Sequence, residues 1–398
     1  MIQPPQQLPR KHEGPKALVV SCFRVFVVMA VLTLRAKPEL WAQAPYPSTI
    51  AYLDSAIASG AAPGAALGIS YHGDWYVHGT GRLGIDDSTR PSGSTVYDLA
   101  SLTKVIGLTT VLMMAVDSGL IGLDSPIQRY VPAFAGRNKS RVTVRMLLVH
   151  ASGLPDWRPL FKETTSRSDA FALADTTPLD TLPGTQFKYS DLGAIVLTQA
   201  AEAVYHQRID SVLTEQVFTP LGMTSSRYLP PESWLGRIAP TENDPWRGRI
   251  LRGEVHDENA ARMDGVSGHA GLFSTTTDLL GFGDWLLGAA RNGSVTPKIS
   301  ARTVADFLTS QNIPAGSSHA LGWDTPPGPG SGLLLSPTSF GHTGFTGTSI
   351  WIDPSRELVI VLLSNRVHPS RENNRMSAVR RAVADRVVRD LLLLGTAR

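Results

Sequence analysis

A chain of 398 residues, 42% hydrophobic and 18% charged, has enough apolar side chain to bury a large core in one or two domains. A formal charge of +3, with no lysine/arginine stripe interleaved with aromatics, argues against a nucleic-acid partner. The single cysteine, Cys22, lies in the N-terminal apolar run, so the body holds neither a disulfide framework nor a cysteine-built metal site.

Arg10, Lys11 and Lys16 precede an apolar run over 17–34, followed by Trp41-Ala42-Gln43-Ala44. That order predicts a secretory signal peptide over 1–44, or an uncleaved anchor giving membrane association through residues 17–34. Arg24, in mid-run, is costly in a bilayer. The protein is therefore expected to be exported, periplasmic or extracellular, with residues 45–398 as its functional domain.

Apolar spacing predicts a helix over 46–60, strands over 63–71 and 75–81 joined by a His72-Gly73-Asp74 turn, and a polar loop over 84–96. A helix opens at Ser101 and stops near Gly119. Residues 143–148 read as a short helix and 150–155 as a turn. Gln186 to Asp191 opens a helix reaching Ala203, with Ser190 or Asp191 as its cap. Further helices are predicted over 209–218, 275–290 and 297–309. Between them, 229–261 is weakly periodic and of a length usually kept for function. Residues 326–332 read as a surface turn, 342–353 as one strand paired with 357–365, and 374–394 as an amphipathic helix. Strands at both ends with helices between predict an α+β fold: an antiparallel sheet flanked by helices, with an inserted, mostly helical region.

Ser101-Leu102-Thr103-Lys104 places a hydroxyl and an amine on one helical face. Sunk among Leu102, Val105, Ile106 and Leu108, the amine would lose hydration, and a lowered pKa would let it take the serine proton. The alternative is a serine near a helix N-terminus and a lysine reaching for water. Tyr189-Ser190-Asp191 supplies a phenol at a helix mouth, its pKa open to lowering by a cationic neighbour. Residues 341–347 form a glycine-rich strand edge whose N–H groups could meet a substrate strand or an oxyanion. His256, Asp257 and His269 lack the spacing of a helical zinc motif and read as hydrogen-bonded loop residues. No metal and no cofactor is expected. A Gly-x-Ser-x-Gly elbow is absent, which disfavours an α/β-hydrolase.

Ser101-x-x-Lys104, then Tyr189-Ser190-Asp191, then His342-Thr343-Gly344 resembles the three motifs of the serine β-lactamase and penicillin-binding-protein superfamily. The likeness spans roughly residues 50 to 390 and points to the branch of class C β-lactamases, DD-peptidases and related esterases. Leu147 to Pro155 resembles that branch's loop after the nucleophile helix. The resemblance implies an acylated nucleophile at Ser101, with proton transfer shared by Lys104 and Tyr189. It also implies an oxyanion hole from the N–H groups of Ser101 and Phe345. His342 stands where many members have lysine, and Asp191 where lactamases usually have asparagine. A carboxylate cannot donate to a substrate carbonyl but can hold Lys104 by charge, which argues against an efficient β-lactamase.

Stretches 246–249, 253–260, 268–274 and 365–371 resemble a subgroup linked to peptidoglycan turnover, which includes low-activity penicillin-binding proteins and a muropeptide amidase. Arg366 and Arg371 are candidates for bidentate binding of a substrate carboxylate, the alternative being loop salt bridges. The expected activity is acyl transfer from amide bonds of cell-wall peptides or muropeptides to Ser101. The alternatives are an esterase or weak β-lactamase on the same fold, a non-catalytic penicillin- or muropeptide-binding sensor, and a metal hydrolase using His256 and His269.

Overall fold

The computed structural model describes residues 45–328 and 330–396; the expected leader, with its apolar run, lies outside the described residues. The main sheet joins the two ends of the domain. Its strands are Gly64–Tyr71, Asp74–Gly81, Phe340–Thr343, Ser349–Asp353 and Leu358–Ser364. All neighbours are antiparallel, in the order 340–343, 349–353, 358–364, 64–71, 74–81.

The two central strands read as unbroken apolar runs because both of their faces are covered. Ala66, Val359, Val361 and Leu363 face the larger core, which includes Leu279, Leu280 and Phe282 of the helix Thr276–Asn292. Ala65, Leu67, Ile69, Ile360 and Leu362 face a second core with the helices Pro47–Ala58 and Met376–Thr396. Close packing of the sheet on helix 276–292 needs two glycines. A Cβ on Gly68 would lie 2.4 Å from Thr276 Cγ2, and one on Gly283 would lie 2.5 Å from a Val359 methyl.

The inserted region is helical, as predicted, and its buried centre includes the segments 104–117 and Asp191–Tyr205. Ser101 lies in a turn, and Leu102 and Thr103 are already helical. Lys104–Thr109 is then wound as a π-helix, continuing as an α-helix over Thr110–Asp117. The expected plain α-helix is thus replaced, at the motif, by the wide turn often found at functional sites. Ser190 caps helix 191–205, accepting from the Gly193 N–H at 3.1 Å.

Three expectations need correction. The predicted strand 342–353 is two strands folded back through a turn at 344–348, where Gly347 takes a left-handed φ of 115°. The predicted helix 297–309 is shorter, Ala301–Leu308, because Ser300 is its cap and accepts from the Thr303 N–H at 3.2 Å. Helices Leu160–Glu163 and Arg167–Thr176 have no counterpart among the predicted elements; the second has little apolar periodicity beyond Ala170 and Ala174. No helix among the described residues is long and apolar enough to cross a membrane.

Candidate active site

The three motifs converge on one cleft of about 770 Å³, lined among others by Ser101, Tyr189, His342, Thr343, Gly344, Phe345 and Arg366. Lys104 and Asp191 lie just beneath. The Ser-x-x-Lys pair meets through a turn in which the Lys104 N–H donates to the Ser101 carbonyl at 3.0 Å. Lys104 Nζ donates to Ser101 Oγ at 3.1 Å and to the His269 carbonyl at 3.0 Å, and lies 2.7 Å from Asp191 Oδ1.

This third contact reverses the expected pKa. Burial alone would lower Lys104, but the Asp191 carboxylate and the Tyr189 phenol raise it above the ordinary lysine value. Lys104 is therefore held as an ammonium, 5.0 Å from the centre of the Tyr189 ring. Tyr189 departs from expectation too. Its burial outweighs the lowering by Lys104 and by hydrogen bonding toward Lys104 and Ser101, and the phenol is pushed up to about 12. Its buried hydroxyl closes no hydrogen bond of good geometry among the described residues.

His150, from the 147–155 loop, sets the Tyr189 turn. It adopts a left-handed φ of 56°. Its carbonyl accepts from Lys188 N at 2.8 Å, its Nδ1 accepts from Ser190 N at 3.2 Å, and its ring lies 4.5 Å from that of Tyr189. His342 is a neutral imidazole. Burial first, then the Lys104 charge, push it down to about 3. Its Nδ1 lies 2.7 Å from its neighbour's carbonyl, Thr343 O, so Nδ1 carries the proton and Nε2 is left as a buried acceptor without a partner among the described residues. Where a lysine would bring a permanent cation, this chain brings a lone pair.

The backbone around Ser101 is held by buried side chains. Ala100 takes a φ of 47°, a costly conformation for a residue with a Cβ. Asp98 supports it, accepting from Ala100 N at 2.8 Å and from His256 N at 2.7 Å. Thr346 Oγ1 donates to Asp98 O at 2.7 Å and Thr348 Oγ1 to Leu99 O at 2.9 Å. Between them, a Cβ on Gly344 would lie 2.4 Å from the Leu99 carbonyl oxygen. The strand turn carrying Phe345 is thereby clamped to the turn carrying Ser101. Neither the Ser101 nor the Phe345 N–H donates to another described group, so both are free to serve an oxyanion in the cleft.

The two arginine candidates separate. Arg371 does not line the cleft: its guanidinium pairs with Glu242 at 2.6 Å and Glu258 at 2.7 Å. It is a loop ion pair, because two carboxylates already satisfy its fork. Arg366 does line the cleft. Its guanidinium lies 4.5 Å from the centre of the Phe345 ring and donates through Nη1 to the carbonyls of Arg371 and Asn373 and to Asn374 Oδ1. Beside it, Arg380 is buried and donates to the Gly344 carbonyl. Burial, then the charge of Arg366, lower Arg380 to about 9. Neither arginine has a carboxylate within ion-pair distance among the described residues.

His256 and His269 each meet a carboxylate: His256 Nε2 lies 2.9 Å from Glu242 Oε2, and His269 Nε2 lies 2.9 Å from Asp257 Oδ1. The long loop thus supports the cleft from behind. The run 326–332, read as a surface turn, contributes Pro327 and Gly328 to the cleft wall. Sequence reasoning missed Arg380, Asp324, His319 and Phe187, which also line the cleft. None lies in a motif, and the helical spacing of Arg380 gives no sign that it points inward.

A model of the β-lactamase family matches residues 50–385. An Escherichia coli K12 protein provisionally named a D-alanyl-D-alanine carboxypeptidase is 32% identical over 324 residues, covering 72% of this chain and 73% of its own. A Salmonella typhimurium protein of the same name is 31% identical over 313 residues, covering 70% and 71%. A class C β-lactamase from Rhodobacter sphaeroides has the same fold, with a TM-score of 0.67 at 22% identity over 87% of this chain and 99% of its own. So does a β-lactamase/D-alanine carboxypeptidase from Pseudomonas syringae, with a TM-score of 0.70 at 18% identity over 87% and 99%. The chain belongs to the β-lactamase family of serine hydrolases.

Proposed function

We propose that this protein cleaves an amide bond of a cell-wall peptide or muropeptide through an acyl-enzyme at Ser101. The carrying observation is the set of Ser101, Asp191 and Tyr189 gathered on a buried Lys104, in a cleft bearing two arginines without carboxylate partners among the described residues. The relatives' provisional naming as carboxypeptidases supports a peptide substrate. A substrate carboxylate placed against Arg366 and Arg380 would supply the negative charge their surroundings lack.

As Ser101 Oγ attacks the carbonyl, Lys104 hands a proton to Asp191, and the lone pair this frees on Nζ takes the Ser101 proton, leaving Lys104 an ammonium. The oxyanion is received by the N–H groups of Ser101 and Phe345. Tyr189 gives its proton to the leaving amine and forms a phenolate beside a cation. Asp191 returns the stored proton through Lys104, which restores Tyr189. Water then attacks the acyl-enzyme, its proton travelling the same path to Ser101. His342 Nε2 offers Tyr189 or substrate an acceptor, not a charge.

A fluorophosphonate or fluorescent penicillin should label Ser101 alone, mapped by mass spectrometry, and Ser101→Ala should remove both labelling and turnover of purified muropeptides. Retained turnover in a folded Ser101→Ala would sink the reading. A stable adduct with no turnover of peptides or esters would instead support a sensor. Export, proposed from the pattern of residues 1–44, is checked by cell fractionation.

A further inference from the structure

Asp324 stands in the cleft wall and, among the described residues, has no cationic partner and no side-chain hydrogen bond of good geometry. The residue is 8% exposed, and its carboxyl lies 3.4 Å from His319 Nδ1. His319 brings no charge, since burial lowers it to about 4, and its Nε2 is buried without a partner among the described residues. Burial pushes Asp324 up to about 7, with nothing nearby to pull it back.

The placement is rigid. Asp324 exchanges both backbone hydrogen bonds with Gly341, each at 2.9 Å, and so occupies the outer edge of the strand one residue before His342. Thr325 Oγ1 ties the loop back to the Ser318 carbonyl at 2.5 Å. A peptide laid along the free edge at 343–345 runs up against Asp324, which already holds that edge at Gly341. The same cleft carries Arg366 and Arg380. Its walls therefore offer cations in one place and an acid in another, each lacking an opposite charge.

We propose that Asp324, backed by His319, is a subsite for a protonated amine of the substrate, so that the cleft selects zwitterionic peptides over ones whose amine is capped. The inference rests on the reading of this cleft as the substrate site. An ammonium would supply the donors the carboxyl lacks and hold it ionised, whereas an acetylated amine brings neither charge nor a fitting donor set.

The test is equilibrium binding of Nα-acetyl-Lys-D-Ala-D-Ala and its Nα,Nε-diacetyl form, measured on Ser101→Ala so that no turnover intervenes. The free-amine peptide should bind roughly tenfold more tightly, the effect of one charge-assisted contact. In Ser101→Ala/Asp324→Asn, with folding checked by circular dichroism, that ratio should fall to about one. Equal binding of the two peptides, failure of the free-amine peptide to bind, or a preference that survives Asp324→Asn would each overturn the subsite. Hydrolysis by the unmodified enzyme is read separately. A binding preference without turnover overturns the hydrolase reading and leaves the subsite standing; turnover without preference does the reverse.

Discussion

Asp191→Asn isolates the interaction on which the proton inventory of the site depends. Lys104 Nζ lies 2.7 Å from Asp191 Oδ1, and the lysine side chain is 4% exposed. In the native protein the folded-state pKa of Lys104 lies above its unfolded value of 10.5. A base raised in this way contributes stability in full below 10.5 and loses it only as pH climbs through the higher folded value. Lys104 therefore adds no slope to stability between pH 6 and 9. In Asp191→Asn the largest remaining influence is burial, which lowers the pKa. The folded state then opposes the charged amine, and stability rises with pH toward 10.5. Leaving a buried charge unpaired costs about 3–5 kcal/mol. At about 2–4 °C per kcal/mol for a large domain, the variant should melt roughly 6–20 °C below the native protein at pH 6. The gap should narrow as pH rises to 9, by about 1.4 kcal/mol for each unit by which the folded pKa falls within that range. Thermal unfolding of both proteins at matched ionic strength across pH 6–9 reads this directly. His150 and His342 are already neutral there, both held below their ordinary value by burial, so they do not blur the comparison. A melting difference that stays constant with pH would refute the claim that Asp191 sets the charge of Lys104.

Tyr189→Phe removes a buried hydroxyl that closes no good hydrogen bond in the fold, so the melting temperature should hold while kcat on a peptide substrate falls about 10²- to 10⁴-fold. Equal loss of stability and activity would mean that the phenol is structural. Glu242→Gln weakens acceptance from Arg371 and His256 and should cost about 1–3 kcal/mol at pH 7. Glu242 is lowered to about 2, so its contribution is present above its ordinary 4.5 and disappears as pH falls toward 2. The stability gap between native protein and variant should close over that window in acid titrations followed by fluorescence. Arg371→Ala should lower stability with little effect on KM, because its guanidinium is committed to Glu242 and Glu258 and does not line the cleft. A large rise in KM with stability intact would return Arg371 to the substrate.

Which parts of the site were legible follows from how local their physics is. Ser101 and Lys104 are three residues apart, so any tight helical turn brings them together. Ser190 caps the helix behind Tyr189 through a bond to Gly193, three residues on. The motif at 342–344 is legible, but apolar periodicity carries its strand straight through 344–348. The turn there depends on Thr346 and Thr348 bonding to carbonyls about 250 residues away, which no local pattern reports. Arg366 and Arg371 looked alike in sequence. They differ because Glu242 and Glu258 lie within reach of one and not the other.

By itself, then, the sequence determined the order of the motifs, the sheet built from both ends of the domain, and the chemical kinds of group at the centre. These rest on short-range spacing and on apolar periodicity. The tertiary structure alone decided the charge state of those groups. Desolvation of Lys104, Tyr189 and His342 depends on what the whole domain packs around them, and the sign of the Lys104 shift depends on one carboxylate 87 residues away in the chain. It alone also brought Arg380, His319 and Asp324 to the cleft, since their positions follow from the packing of a helix and a loop whose sequences carry no motif.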